Sequence, residues 1–210
     1  MSANKGPFVH VVGVIGLKAA GKGIFCDHLK TQGYAAFRLS DAVRNAMLEE
    51  AGNSSPSVTQ MQDFSNRKKR ETGDFGIWGS RVLELAQKRG CRKVLLDGIR
   101  NPSEIDAVRR VAGEVFSLVG ITAPIQLRAE RFIKRGQAGD PLELMKFLCI
   151  DDRDRGTGEP ANGQLVDRCL AQVPLANVYN NDGSLQEFHK WIDSTLCQLL
   201  HDIGQSCGAV

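Results

Sequence analysis

The segment that most restricts the fold of this chain is "VVGVIGLKAAGKGIF", residues 11–25. It joins a run of β-branched residues to a glycine loop and then to residues with helical spacing. From Gly16 to Lys22 the loop fits G-x-x-x-x-G-K, the spacing of a phosphate-binding loop between a strand and a helix. The backbone N–H groups of such a loop cradle phosphates, and the N-terminus of the helix adds partial positive charge. The segment therefore predicts a nucleotide site at the end of a buried strand.

The two residues after the lysine restrict the kind of nucleotide site. Loops of this type usually continue with Ser or Thr, whose hydroxyl binds magnesium, but this chain continues with Gly23 and Ile24. The missing hydroxyl argues against a switch GTPase, and so does the lack of an Asn-Lys-x-Asp sequence. The combination favours a small kinase.

An acidic residue ends another apolar run. The stretch "VLLDGIR" places Asp97 directly after three apolar residues, with Arg100 three positions further on. A carboxylate at the end of a strand beside the phosphate loop can orient magnesium-bound water, and we predict this role for Asp97. The alternative is that Asp97 caps a helix.

Short apolar runs alternate with helical segments along the chain. This alternation predicts an α/β fold with five parallel strands and right-handed crossovers. The predicted strands cover residues 9–15, 34–39, 92–98, 114–122 and 175–181. Ser40 is predicted to be the N-cap of the helix that follows the second strand. Two connections, about 41–92 and 123–175, are long, and long insertions at strand ends commonly carry function.

Composition excludes several classes of protein. The net charge is +3, which suits small anionic ligands and is too weak to argue for nucleic acid. No apolar run is long enough for a membrane span, and residues 1–7 lack the apolar stretch of a signal peptide. The six cysteines form no C-x-x-C pair and no cluster with zinc spacing, so we expect core fillers or free thiols in a reducing cytoplasm.

Several motifs together resemble those of adenylate-kinase-like nucleotide kinases. "GLKAAGKG" looks like their phosphate loop, in which glycine also follows the lysine, and "LLDGIR" is similar to their "LLDGFPR" segment. The resemblance is closer to a group of adenylate-kinase-related and dephospho-CoA-kinase-like proteins. It is carried by "FRLSDAVR", "QDFSNRKKRETGDFG", "LLDGIRNPSEID", "RAERFIKRGQAGDP" and "NNDGSLQEFHKWID", in order over about residues 11–195.

The resemblance implies a fold and an activity. The fold is a P-loop NTPase three-layer α/β/α architecture of nucleotide-kinase type, with a five-stranded parallel sheet. Residues 41–92 would form an acceptor-binding lobe, and residues 137–163 a lid, within one kinase domain spanning 1–210. The implied activity is ATP-dependent phosphotransfer to a nucleoside or deoxynucleoside monophosphate, with magnesium as cofactor. Two alternatives remain open: a dephospho-CoA-kinase-like enzyme, and a nucleotide-sensing P-loop ATPase domain without a metabolic role.

The resemblance also implies residue roles. The resemblance predicts an ATP site made of two segments. The phosphate loop contributes Gly16, Ala19, Ala20, Gly21, Lys22, Gly23 and Ile24, and a later segment contributes Asn181 and Gly183 beside the adenine base. In the acceptor site it places Ser40, Asp41, Arg44, Arg67, Arg70 and Arg100. For catalysis it adds Arg131, Arg135 and Arg153 of the lid region to Lys22, Asp41, Asp97 and Arg100. Ile150 stands where relatives often carry arginine, which weakens the positive charge of the lid.

Some of these roles have structural alternatives. If the acceptor is a hydroxyl, Asp41 could accept its proton, whereas with a phosphate acceptor Asp41 would only cap a helix. The charged run from Arg67 to Arg70 and the shared helix face of Arg128, Arg131 and Arg135 could each be a solvated surface. We expect ATP and a small nucleotide as ligands, no nucleic-acid or membrane partner, and a monomer or homodimer.

Overall fold

A computed structural model describes residues 7–52, 56, 58–136 and 143–205 of the chain. Strands and helices alternate, as the sequence predicts. The strands are β1 (His10–Ile15), β2 (Ala35–Arg38), β3 (Lys93–Asp97), β4 (Phe116–Thr122) and β5 (Val178–Asn180). The helices are α1 (Lys22–Thr31), α2 (Leu39–Ala51), α3 (Val58–Thr72), α4 (Ile77–Lys88), α5 (Pro102–Ala112), α6 (Ile125–Arg135), α7 (Leu144–Arg155), α8 (Val166–Leu170) and α9 (Leu185–Asp202).

The five strands form one parallel sheet in the order β2-β3-β1-β4-β5. β1 is the central strand and is buried along its whole length, as its β-branched sequence predicts. Val14 lies opposite Asp97 of β3, and Ile15 lies opposite Gly120 of β4. The carboxyl ends of the three central strands therefore meet at one edge, where ligands bind in such sheets.

Helices cover both faces of the sheet, which gives the predicted three-layer α/β/α fold. Alternate residues of β1 point to opposite faces: Val11 belongs to a core with Trp78 of α4, whereas Val12 belongs to a second core with Phe188 of α9. Each fully buried aliphatic or aromatic side chain contributes roughly 1.5–3 kcal/mol through removal of apolar surface from water. The two cores hold the phosphate-loop edge of the sheet in place from both sides.

The beginning of α2 differs from the prediction. The helix begins at Leu39 and its N-cap is Arg38, whose side chain makes no capping hydrogen bond. Ser40 therefore lies inside the first turn, and its prediction as the N-cap is wrong. The reason is that β2 runs directly into α2, so extended Arg38 ends the strand and also precedes the helix.

The two long connections contain helices. α2, α3 and α4 fill the connection between β2 and β3, while α6, α7 and α8 fill the one between β4 and β5. Within the predicted lid, residues 137–142 lie outside the described residues, and α7 makes up most of the remainder. Over the described parts of the chain, no helix is both long and apolar enough to cross a membrane.

The cysteines partly follow the prediction. Cys26 and Cys169 are buried free thiols, and burial raises the pKa of Cys26 to about 12. Cys149 on α7 is free and exposed. Cys197 on α9 is disulfide-bonded, which the spacing of cysteines in the sequence did not indicate.

Candidate nucleotide and acceptor site

The phosphate loop connects β1 to α1 at the carboxyl edge of the sheet. Two of its glycines are required by close approach of neighbouring atoms. A Cβ on Gly16 would lie 2.3 Å from the carbonyl oxygen of Ile121, and one on Gly21 would lie 2.3 Å from Nδ2 of Asn181. Gly21 also has a positive φ of 116°, which disfavours other residues. Substitution of either glycine must therefore displace the loop.

Two further positions distinguish this loop. Ala19 adopts a positive φ of 58°, which is unusual for a residue with a side chain. A Cβ on Gly23 would meet nothing within 4 Å, so serine or threonine would fit there. Packing therefore does not explain why the magnesium-binding hydroxyl is missing.

Lys22 begins α1 and turns its side chain back over the loop. Its Nζ donates hydrogen bonds to the carbonyl oxygens of Gly16 at 2.6 Å and Leu17 at 3.0 Å. Burial, followed by the positive charge of Arg100, lowers the pKa of Lys22 from 10.5 to about 8. Phosphate oxygens bound at the loop would add negative charge beside this half-buried ammonium, and phosphate binding stays the role predicted for Lys22.

Asp97 ends β3 beside the phosphate loop. Its Oδ2 lies 3.5 Å from Nε of Arg38, and its charge acts on Lys22 to raise that pKa in part. One carboxylate with open space beside Gly23 fits a magnesium ion held mainly through water. The described residues contain no cluster of three or more metal-binding His, Cys, Asp or Glu side chains.

A cavity of about 530 Å³ lies beside the phosphate loop, between the loop, α2, α3 and α7. Four predicted site residues, Ser40, Arg44, Arg100 and Arg153, line it together with Lys18 of the loop. Its apolar lining includes Leu39, Val43, Met61, Trp78, Phe132 and Ile150. The lining combines apolar and aromatic surface with charged groups, a composition typical of small-molecule sites.

Three predicted acceptor residues do not line this cavity as far as it is described. Asp41 lies in the first turn of α2, is 53% exposed, and binds Arg44 at 2.9 Å. Arg67 points outward from α3 to Glu50 and Glu71, and Arg70 is exposed on the same helix. The cationic run on α3 is largely the solvated surface that we gave as the alternative.

Lys69 is a cavity residue that the sequence analysis missed within that run. It is 4% exposed, and its Nζ donates to Glu104 Oε1 at 3.0 Å. Glu104 in turn accepts the backbone N–H of Arg100 at 2.9 Å, so Lys69 connects α3 to the segment after β3. The helical spacing in the sequence could have identified Lys69, because Met61, Ser65 and Lys69 are four residues apart and share the helix face that lines the cavity.

The three arginines of α6, Arg128, Arg131 and Arg135, have different surroundings and do not form one shared solvated surface. Arg128 is fully buried, and its guanidinium makes a bidentate pair with Asp151 of α7, with Nη2 at 2.8 Å from Oδ2. Arg128 also donates to the carbonyl oxygens of Ala123 at 3.1 Å and of Lys18 at 3.4 Å. Burial raises the pKa of the Asp151 carboxyl, but hydrogen bonds from Arg128 and Arg155 outweigh this effect and hold the pKa below its usual value. The pair fixes α7 to α6 and to the phosphate loop.

Arg131 and Arg135 lie further along α6. Arg131 donates from Nη1 to the carbonyl oxygen of Asn181 at 3.0 Å. Arg135 lies over the ring of Phe132, with its Cζ 4.9 Å from the ring centroid. Neither lines the described cavity.

The segment after β5, which the resemblance predicts to lie beside the adenine base, contacts the phosphate loop. Asn181 is buried, and its Nδ2 donates to the carbonyl oxygen of Ala20 at 2.8 Å. Its backbone N–H donates to Thr122 at the end of β4 at 2.7 Å. At Gly183 a Cβ would lie 2.6 Å from Oε2 of Glu187, which caps α9, so this turn is tightly packed.

The last turn of α7 contributes charges to the cavity. Asp154 lies between Lys18 Nζ and Arg100 Nη1, at 3.5 Å from each. Arg100 also donates to Gln164 Oε1 at 2.7 Å, and Arg153 donates to Glu159 at 2.6 Å. The predicted catalytic cations Arg100 and Arg153 are thus held by protein acceptors in this structure.

Sequence comparison identifies archaeal relatives along nearly the whole chain. A UPF0200 protein of Methanoregula boonei is 32% identical over 180 residues, 86% of this chain and 92% of the relative. A UPF0200 protein of Pyrobaculum aerophilum is 30% identical over 192 residues, 91% of this chain and 99% of the relative. No family model matches the sequence.

Solved structures share the fold at low sequence identity. The structure of TT1252 from Thermus thermophilus has a TM-score of 0.56 at 18% identity and covers 93% of this chain and 99% of its own. Shikimate kinase from Bacteroides thetaiotaomicron has a TM-score of 0.51 at 13% identity, covering 91% of this chain and 98% of its own. A gluconokinase from Sinorhizobium meliloti has a TM-score of 0.50 at 16% identity, covering 94% and 97%. The fold is thus one that kinases of small molecules use.

Proposed function

Because this chain belongs to the UPF0200 family and has the fold of P-loop kinases, we propose that it is an ATP-dependent phosphotransferase acting on a small nucleotide. The observation that carries this proposal is the cavity of about 530 Å³ that adjoins the phosphate loop. Lys18 of the loop lines the cavity, so a nucleotide on the loop would present its terminal phosphate to a molecule inside it.

Phosphoryl transfer asks a protein mainly for positioning and for positive charge around the moving group. The loop N–H groups and Lys22 would bind the phosphates of ATP, while Lys18 and Arg100 would face the transferred group from the cavity side. A magnesium ion held through water by Asp97 would neutralise phosphate charge. Because ATP and the acceptor would be held at adjoining sites, they would react without a random encounter in solution.

We propose a nucleoside or deoxynucleoside monophosphate as the acceptor, with a dephospho-CoA-like molecule as the alternative. Five cationic and three anionic side chains line the cavity, a formal excess of two positive charges that suits a phosphate-bearing molecule. Arg44 and Arg100 are both in this lining, as a phosphate clamp requires. Trp78 and Phe132 add aromatic surface that a base could contact.

A nucleotide-sensing domain without transferase activity is the second candidate. The observation that favours it is Ile150, which lines the cavity where the resemblance implies an arginine. A lid with less positive charge would bind nucleotide and change conformation without accelerating transfer. Measured turnover with any acceptor separates the two candidates.

The test compares wild type with Lys22→Ala. ATP affinity is measured by calorimetry, and transfer is measured by a coupled assay against nucleoside monophosphates, deoxynucleoside monophosphates and dephospho-CoA. We expect Lys22→Ala to slow transfer by about 10²–10³-fold or more, the usual effect of removing one transition-state contact. Lys30→Ala is the matched control, because Lys30 lies on the same helix but is exposed and pairs with Asp27. Equal ATP affinity and equal turnover in wild type and Lys22→Ala would refute the proposal.

A further inference from the structure

We propose that Asp154 is the carboxylate that takes the proton from the acceptor, and that the phosphorylated group is therefore a hydroxyl and not a phosphate. This inference rests on the proposed function and decides which group of the acceptor reacts. From the sequence alone, Asp41 is the candidate base for a hydroxyl acceptor, and a phosphate is the favoured acceptor group.

Asp154 lies where the phosphate loop meets the acceptor cavity. Its two carboxylate oxygens face opposite partners, with Oδ2 toward Lys18 of the loop and Oδ1 toward Arg100 beyond β3. It lines the cavity, and its charge also acts on Lys22. A group transferred from the loop to an acceptor in the cavity must pass beside this carboxylate.

The position of Asp154 is set by a rigid anchor. Asp151 lies three residues earlier on the same face of α7, is fully buried, and binds Arg128 in a bidentate pair. Arg128 also donates to the carbonyl oxygen of Lys18, the residue whose ammonium faces Asp154. The helix is therefore held against the phosphate loop, and Asp154 is presented to the reacting groups by a fixed element.

The other carboxylates in or near the cavity either make short hydrogen bonds within the protein or lie outside the cavity lining. Glu104 binds Lys69 at 3.0 Å and two backbone N–H groups, and Glu159 binds Arg153 at 2.6 Å. Asp41 is exposed and lies outside the described lining. Asp154 is only 8% exposed, and both of its ion pairs are 3.5 Å long, at the outer limit for a hydrogen bond. Of the carboxylates that line the cavity, it is therefore the one whose existing contacts leave room for a hydrogen bond from an acceptor hydroxyl.

The charge of Asp154 also discriminates between acceptor groups. An acceptor phosphate at this junction would compete with the carboxylate of Asp154 for Lys18 and Arg100, the two cations that would also face the transferred group. A hydroxyl is neutral and donates a hydrogen bond to a carboxylate. Arg44, further along the cavity lining on α2, would remain available to hold a phosphate elsewhere on the acceptor.

The proposed step is balanced. The acceptor oxygen forms a bond to the γ-phosphorus of ATP, and the bond from that phosphorus to the oxygen bridging to the β-phosphate breaks. The leaving electron pair stays on ADP. The hydroxyl proton moves to the carboxylate of Asp154 and from there to solvent, so the products are a phosphate monoester, ADP and one proton.

The first measurement identifies the bond that forms. Wild-type protein, ATP and magnesium are incubated separately with nucleosides, nucleoside monophosphates and dephospho-CoA, and products are analysed by ³¹P NMR. We expect the new signal to be a phosphate monoester. A new phosphoanhydride signal from the acceptor, distinct from the ADP that ATP always yields, would overturn the inference while leaving the proposed function intact. No transfer to any acceptor would overturn both.

The second measurement tests Asp154 with the acceptor that reacts. We expect Asp154→Asn to lower kcat by about 10²–10⁴-fold, the usual contribution of a positioned base, with the ATP dissociation constant and acceptor KM changed by less than about threefold. Asp152→Asn is the matched control, because Asp152 is an exposed carboxylate on the same helix, and it should leave kcat unchanged. A kcat for Asp154→Asn within about threefold of wild type would refute the role.

A third variant guards against misfolding. If Asp154→Asn does not bind ATP, Asp154→Glu keeps the charge and moves the carboxylate by one methylene. We expect it to bind ATP normally and to lose at least about tenfold in kcat, because proton transfer depends on close placement. Full activity of Asp154→Glu in that case would contradict the proposed role.

Discussion

Replacing Arg128 by methionine tests the pair that fixes α7 against the phosphate loop. The substitution keeps an unbranched apolar side chain but leaves the carboxylate of Asp151 buried. Among the described residues, Arg155 is then the remaining cation bound to Asp151, at 3.2 Å. Removal of one partner of a buried ion pair typically costs about 3–5 kcal/mol, because the remaining charge is uncompensated. Since Arg155 persists, we expect a loss near the lower end, about 3 kcal/mol of unfolding free energy.

Urea unfolding followed by circular dichroism measures this loss. Arg131→Met is the control, because Arg131 lies on the same helix and, among the described residues, donates a hydrogen bond to Asn181; a loss of about 1 kcal/mol is expected. The double variant Arg128→Met/Asp151→Leu removes both charges and should be more stable than Arg128→Met alone. A loss below about 1 kcal/mol for Arg128→Met, or a double variant less stable than the single one, would refute the reasoning.

Three further predictions concern β1, the loop and the cavity. Burial, and secondly Lys93, lowers the pKa of His10 from 6.5 to about 4. Neutral His10 is compatible with the fold above pH 6.5, and about 3 kcal/mol of unfolding free energy is lost as the pH falls from 6.5 to 4, because the unfolded chain takes up the proton first. Urea unfolding of His10→Gln at several pH values should lack this loss. Equal dependence of the unfolding free energy on pH in the variant and in wild type would disprove the role of His10. Gly16→Ala should abolish ATP binding in calorimetry because of the carbonyl of Ile121, whereas Gly23→Ala should retain it; equal affinities would contradict the steric argument. Acceptor binding should change the fluorescence of Trp78, which lines the cavity, and an unchanged signal at saturation in a Trp191→Phe background would place the acceptor elsewhere.

The sheet and the phosphate loop could be predicted from sequence because local patterns specify them. A β-branched run marked β1, an apolar run marked β3, and the fixed spacing from Gly16 to Lys22 marked the loop between a strand and a helix. These features depend on neighbouring residues in the chain. Boundaries were less certain, and Ser40 was assigned as a cap because a good capping residue followed an apolar run.

The ionic groups around the cavity could not be predicted in the same way. Lys69 appears in sequence as one of four adjacent cations, and only its position opposite Glu104 makes it a buried residue. Arg128 and Asp151 are 23 residues apart, and their pairing depends on how α7 packs against α6. Asp154 becomes a candidate base only because that packing brings it to Lys18 of the loop. The sequence around a charged residue does not show whether that residue will be buried against a partner distant in the chain.

The hydrogen bond from Asn181 to Ala20 has a consequence for the synthesis of the protein. It joins positions 161 residues apart, and Asn181 is held in turn by the end of β4. Chains emerge from the ribosome N-terminus first, so the phosphate loop is made early but lacks this support until the C-terminal strand has emerged and docked. Nascent and C-terminally truncated chains should therefore be unable to retain nucleotide, and ligand binding cannot guide the early stages of folding. The phosphate loop is thus translated well before the segment that supports it, and it becomes functional late in folding.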